Sequence, residues 1–280
     1  LLEPNNVVND SLDTDDEDYD SCSDDNNTDI ETDMLSIFGK TIFEINLTDA
    51  IEKKYITDYR IWVPSVSEDI SKLHTELSIY DIDQTIKSKL IFMFSCIINN
   101  GSRKCIIYCK DTNEIENMRA HIDELNEFYC LKISHNQITS KDNYKSRNTI
   151  ISKFTNSTNI ELLFSVRILD ECIDIPSCDS IYITYPVQSK IRTIQRLSRA
   201  TRINNNDPYK IANIFIWCSE YDTILETLSS IKEYDSNLLT KINVNENGFY
   251  RTKSARIPLT VSNDILKLKS FIIFKNVLFL

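Results

Sequence analysis

Between Lys190 and Arg202 the sequence carries five bases and no acid. Within that run Gln195, Arg199 and Arg202 recur at i, i+4 and i+7, a spacing that places them on one face of a helix. Two guanidinium groups held by a rigid element suit a multiply charged phosphate, because arginine stays ionised and presents a planar fork of donors. On this spacing Ile191, Ile194 and Leu197 occupy the opposite side and face a core. A solvated basic face is the plainer alternative for these residues taken alone.

A second group lies upstream in Leu163-Phe-Ser-Val-Arg-Ile-Leu-Asp-Glu-Cys-Ile-Asp-Ile-Pro176. Asp174 falls in a loop just past an expected strand, where a carboxylate can accept hydrogen bonds from ribose hydroxyls. A turn or capping aspartate is the competing explanation. Asp170-Glu171 does not read as a metal box, since no phosphate loop precedes it. The only loop candidate, Met34-Leu-Ser-Ile-Phe-Gly-Lys-Thr41, has Met34 where the first glycine should stand, and Ile37 and Phe38 would crowd a phosphate. A third group is the run Arg103-Lys-Cys-Ile-Ile-Tyr-Cys-Lys-Asp-Thr112, a short buried-type strand ending in Lys110 and Thr112.

The elements that must carry these groups alternate. Strands are expected at 41–45, 59–64, 104–109, 128–133, 160–166, 180–184 and 211–218. Helices are expected at 47–55, 83–99, 113–126, 140–154, 190–201 and 220–233. This rhythm predicts an α/β fold, a mainly parallel sheet covered by helices on both faces, with ligands at the carboxyl ends of the strands. Nothing beyond Tyr234 can be placed from pattern.

Charge and composition bound the function classes. The 280 residues carry a net charge of −11. Residues 1–39 hold 13 acids and no base, so the remainder, with 29 acids and 31 bases, is slightly basic. The acidic block repels itself and buries almost nothing, so it is expected to be disordered. The overall acidity therefore does not argue against a nucleic-acid partner. No apolar run approaches the roughly 20 residues of a membrane helix. Eight cysteines without a CxxC pair, and three isolated histidines, offer no zinc-ligand spacing. With no leader segment, those thiols point to an intracellular, reducing compartment. A chain that opens at Leu1 reads as the carboxyl part of a longer protein.

Taken in order, the three groups resemble the second RecA-like domain of superfamily 2 helicases of the DEAD/DEAH-like kind, a P-loop NTPase type fold. Lys104–Thr112 looks like motif IV. Leu163–Pro176 looks like motif V, whose usual core is Glu-Gly-Val-Asp-Ile-Pro. Gln195-Arg-Leu-Ser-Arg-Ala-Thr-Arg202 looks like motif VI, Gln-Arg-x-Gly-Arg-x-x-Arg. The richness in Ile, Asn and Lys most resembles helicases of large DNA viruses of the mimivirus kind, which would place the protein in host cytoplasm or virion.

The resemblance divides the chain into an acidic segment (1–36), the end of a first RecA-like domain with its hinge (37–66), the second RecA-like domain (67–235) and an extension (236–280). It implies an ATP-dependent helicase or translocase. ATP and Mg2+ would be held mainly by a first RecA-like domain, with no metal site of this fragment's own and no turnover by it alone. Arg199 and Arg202 would be arginine fingers, Gln195 would link nucleotide to the opposing domain, and Arg196 would brace motif V. Glu171, Cys172 and Asp174 would border the ATP. Lys110, Thr112, Ser165, Val166 and Arg167 would line the backbone of DNA or RNA, independent of sequence. Cys172 and Ser198 stand where the family usually has glycine. These departures keep open a second class of function, a non-catalytic nucleic-acid or partner-binding module retaining the helicase fold.

Overall fold

The computed structural model describes residues 45–65, 82–170, 174–185 and 189–245. The acidic segment, the Met34–Thr41 run and most of the extension lie outside these residues. Among the described residues seven strands form one all-parallel sheet: β1 (Tyr59–Pro64), β2 (Lys104–Tyr108), β3 (Ile133–Ile138), β4 (Ile160–Ser165), β5 (Ser180–Ile183), β6 (Ala212–Ile216) and β7 (Ile242–Asn245). Their spatial order is β3-β4-β2-β5-β6-β1-β7.

The helices are α1 (Leu47–Glu52), α2 (Gln84–Asn100), α3 (Thr112–Arg119), α4 (Ile122–Phe128), α5 (Tyr144–Asn156), α6 (Lys190–Ala200), α7 (Leu225–Lys232) and the single turn α8 (Leu238–Lys241). Alternate residues of each strand point to opposite faces. On β2, Ile106 and Tyr108 join a core with Phe154 of α5, Leu197 of α6, and Leu228 and Ile231 of α7. Cys105 and Ile107 join the other core, with Leu90, Met93, Phe94 and Ile97 of α2, Ile115 of α3 and Leu125 of α4. Helices thus cover both faces, as the strand–helix rhythm predicts.

Local chemistry sets the element ends. Asp83 caps α2 by accepting from the amides of Thr85 and Ile86. Gly101, at φ +64°, closes that helix in the left-handed conformation. Asp111 caps α3, and Asn143 caps α5.

Several elements differ from expectation. The strand expected at 128–133 is instead Ile133–Ile138, because the apolar run Phe128–Leu131 belongs to the end of α4 and the turn after it. β3 sits at the sheet edge, and its four central residues are only partly buried, so it shows no apolar run to read. The helix expected over 113–126 breaks in two at Ala120–His121. Tyr59–Pro64, expected in a hinge, pairs with both β6 and β7 inside this sheet. Past Tyr234, where pattern gave nothing, α8 and β7 complete the sheet. Among the described residues, no helix is long and apolar enough to cross a membrane.

Candidate functional site

Two regions receive the predicted residues. The first is at the carboxyl ends of β2 and β4. These strands pair in register, Tyr108 opposite Ser165, and the Cys109 amide donates to the Ser165 carbonyl at 2.9 Å. The segments carrying Lys110 and Thr112, and Val166 and Arg167, therefore leave the sheet side by side. Lys110, Thr112 and Arg167 are exposed, while Val166 is partly buried. Ser165 is fully buried, and among the described residues its hydroxyl has no hydrogen-bond partner, so it sits beneath the surface its neighbours form. Arg167 takes φ +59°, a left-handed conformation that holds a non-glycine residue under strain of about 1–2 kcal/mol.

A buried polar network underlies this edge. Lys89 and Glu114, 8% and 7% exposed, form an ion pair. The other Glu114 oxygen accepts from the Lys110 amide at 2.6 Å and from the Thr184 hydroxyl at 2.7 Å. Lys89 Nζ also lies 4.8 Å from the centre of the Trp217 ring. Glu114 thereby fixes the backbone of Lys110 from below. Motif reading missed both members. A signal was present: Asp111-x-x-Glu114 is a helix-start box, and Lys89 interrupts the apolar face of α2.

The second region is at the other end of the sheet. α6 begins after the carboxyl end of β5 and runs back toward the amino ends. The Thr201 carbonyl, just past its last turn, accepts from the Thr57 amide two residues ahead of β1. Here Arg202 Nη1 forms an ion pair with Asp174, 28 residues away. The pair is accessible, with side-chain exposures of 30% for Arg202 and 72% for Asp174. Asp174 is placed differently from expectation. It belongs to the approach to β5, whose Asp179 is anchored on the Arg103 and Lys104 amides at the start of β2. The candidate nucleotide contacts thus lie away from the carboxyl ends, where ligands were expected.

The faces of α6 also differ from the spacing argument. Thr193, Arg196, Leu197, Arg199 and Ala200 are buried, whereas Ile191 is 69% exposed. Arg202 is not on the helix at all, because α6 ends at Ala200 with Thr201 as its cap. Arg196, fully buried, owes its place to the aromatic rings around it. Its guanidinium carbon lies 4.6 Å from the Tyr108 ring centre and 5.5 Å from that of Tyr185, and Nη2 donates to the Tyr185 hydroxyl at 3.2 Å. Tyr108 in turn donates to the Leu169 carbonyl at 3.4 Å, so Arg196 and Tyr108 join α6 to the segment after β4. Arg199 is 7% exposed, and Gln195 is partly buried. The Ser198 hydroxyl turns back onto the Gln195 carbonyl at 2.7 Å, which occupies the polar group that replaces the usual glycine. Glu171 and Cys172 lie outside the described residues. Among the described residues, no group of three or more His, Cys, Asp or Glu could hold a metal ion.

Comparison with known proteins bears on this geometry. Residues 88–204 match the family model of the helicase conserved C-terminal domain, a span that contains both regions. A protein of Sulfolobus islandicus filamentous virus that carries the name helicase 22 is 21% identical over 198 residues, 63% of this chain and 33% of that protein. A Saccharomyces cerevisiae protein that carries the name ATP-dependent helicase IRC3 is 22% identical over 210 residues, 72% of this chain and 30% of that protein. The chain therefore spans about a third of the length of these curated relatives. The solved structure of the ATP-dependent Type ISP restriction-modification enzyme LlaBIII bound to DNA superimposes with a TM-score of 0.62 at 16% identity. It covers 88% of this chain and 19% of that one. Family match, strand order and two-faced helix cover agree: residues 88–204 match the helicase conserved C-terminal domain, and the parallel sheet that holds them has the RecA-like fold.

Proposed function

We propose that this chain supplies the second RecA-like half of an ATP-dependent helicase or translocase. The observation that carries the reading is the exposed Arg202–Asp174 pair, formed between the segments that resemble motifs VI and V. Arg202 is the charge-neutralising finger, and Asp174 is the ribose contact. In the nucleotide-bound state Arg202 exchanges its carboxylate partner for phosphate oxygens. Arg199 and Gln195, three and seven residues earlier on α6, back this site. The nucleotide and its Mg2+ belong mainly to a first RecA-like domain, and turnover requires that domain.

The single strand, DNA or RNA, runs over the carboxyl ends of β2 and β4. Lys110, Thr112 and Arg167 contact its phosphates there, above Ser165 and Val166. Phosphate contacts of this kind bind without regard to sequence and weaken steeply with salt. A viral setting fits the viral relative.

The test is phosphate release by the full-length gene product, with and without single strands. Arg202→Ala should lower turnover by about 10³-fold or more. Unchanged turnover would remove Arg202 from the role. If instead strands bind equally well with and without ATP and no phosphate is released, the chain is a non-catalytic nucleic-acid or partner-binding module. The serine at position 198, where the family usually has glycine, is the feature that favours that second reading.

A further inference from the structure

The backbone that carries Arg202 is held more tightly than its side chain. After α6 the chain crosses Thr201 and Arg202 and makes a short loop closed by the Asn204–Asp207 bridge before reaching β6. Lys210 stands two residues ahead of β6 and is 7% exposed. Its ammonium donates to the Arg202 carbonyl at 2.8 Å and to the Pro176 carbonyl at 3.0 Å. The preceding carbonyl, that of Thr201, accepts from the Thr57 amide at 2.7 Å and from the Thr57 hydroxyl at 3.2 Å.

These bonds close a ring. From Asp174 the chain runs two residues to Pro176, whose carbonyl meets Lys210. Lys210 meets the Arg202 carbonyl, and the Arg202 side chain returns to Asp174. Burying an ammonium is unfavourable unless it is well hydrogen-bonded. Burial accordingly pulls the Lys210 pKa below the usual lysine range, against the opposing pull of Cys178, Asp179 and Asp207. A buried cation with bonds to two backbone carbonyls, one on each segment, is suited to fixing their separation.

We propose that Lys210 is a positioning residue that clamps the Asp174 and Arg202 segments together and so sets the aim of Arg202. The proposal rests on the reading of Arg202 as a nucleotide contact. When the Arg202 guanidinium leaves Asp174 for phosphate, the Lys210 bonds remain, and the finger swings from a fixed base. Misplacing a catalytic group by about 1 Å can reduce rate about 100-fold, so a clamp on the backbone carbonyl governs the rate more than the affinity.

The experiment uses the full-length gene product with Lys210→Met and Lys210→Arg. For Lys210→Met, kcat for ATP should fall by about 10- to 100-fold while KM stays within about 2-fold. Lys210→Arg, which keeps donors for both carbonyls, should recover most of the loss. A merely structural lysine would lower thermal stability and leave kcat per folded molecule unchanged, and that result overturns the proposal. If Lys210→Met does not fold, Lys210→Gln takes its place and must show the same kcat loss.

A second readout needs no activity. Trypsin cuts at the Arg202–Ile203 bond, whose carbonyl Lys210 holds. Cleavage there, followed by mass spectrometry, should be several-fold faster in Lys210→Met at an unchanged melting temperature. If wild type releases no phosphate, the proposed function fails and trypsin alone judges the clamp: equal cleavage in both proteins overturns it, and faster cleavage in the variant supports it.

Discussion

Glu114→Ala removes one member of a buried ion pair and leaves the Lys89 ammonium with 11% of its side chain exposed. It also strands the Lys110 amide and takes one of two acceptors from the Thr184 hydroxyl, which keeps the Tyr108 carbonyl at 3.1 Å. Removing one partner of a buried pair costs about 3–5 kcal/mol, because the remaining charge stays desolvated. For a domain of this size about 1 kcal/mol lowers the melting temperature by roughly 2–4 °C, so the expected fall is about 6–20 °C. Replacing both members, Lys89→Met with Glu114→Leu, removes the stranded charge and should recover most of that loss. Urea unfolding followed by tryptophan fluorescence is the assay, since Trp217 lies directly beneath Lys89 Nζ. The reasoning fails if Glu114→Ala costs less than about 1 kcal/mol, or if the double variant is no more stable than the single one.

Arg167→Gly separates binding from folding. Glycine relieves the left-handed backbone at φ +59°, so stability should hold or rise by up to about 1 kcal/mol, while single-strand affinity falls and its salt slope drops by about one. An unchanged salt slope would exclude Arg167 from phosphate contact. Asp235 gives a pH signature. Burial raises its pKa, but hydrogen bonds from Tyr59 at 2.6 Å and Lys241 at 2.9 Å outweigh this and hold it below the usual carboxylate range. Its contribution is therefore complete above the unfolded value near pH 4 and is lost as pH falls through the lower folded value. Asp235→Asn should destabilise at pH 7 and approach wild type in strong acid. Equal destabilisation at both pH values would contradict the ionic assignment.

What the sequence disclosed and what it withheld have separate physical causes. Strands buried on both faces, such as Lys104–Tyr108 and Ile160–Ser165, show as apolar runs, and the parallel sheet follows from their alternation with helices. The edge strand Ile133–Ile138 is only half buried, so composition did not mark it. β7 was illegible for another reason: four residues are too few for any period, and its place depends on pairing with β1 from the far end of the chain.

The same distinction runs through the site. Motif spacing marked Asp174 and Arg202, and the structure brings them together. Helical spacing could not tell that α6 stops at Ala200 or that Arg196 is buried, because both depend on tertiary partners: Thr57 at the helix end, and Tyr108 and Tyr185 around the guanidinium. Glu114 was missed although the Asp111-x-x-Glu114 box marked it, and Lys210 was missed because its hydrogen bonds go to backbone atoms. A lysine whose partners are the carbonyls of Pro176 and Arg202 leaves no charge pattern in the sequence. Residues proposed to meet a ligand can therefore be read from side-chain type and spacing, whereas residues that hold a backbone emerge only when the fold shows which carbonyls and amides need a partner.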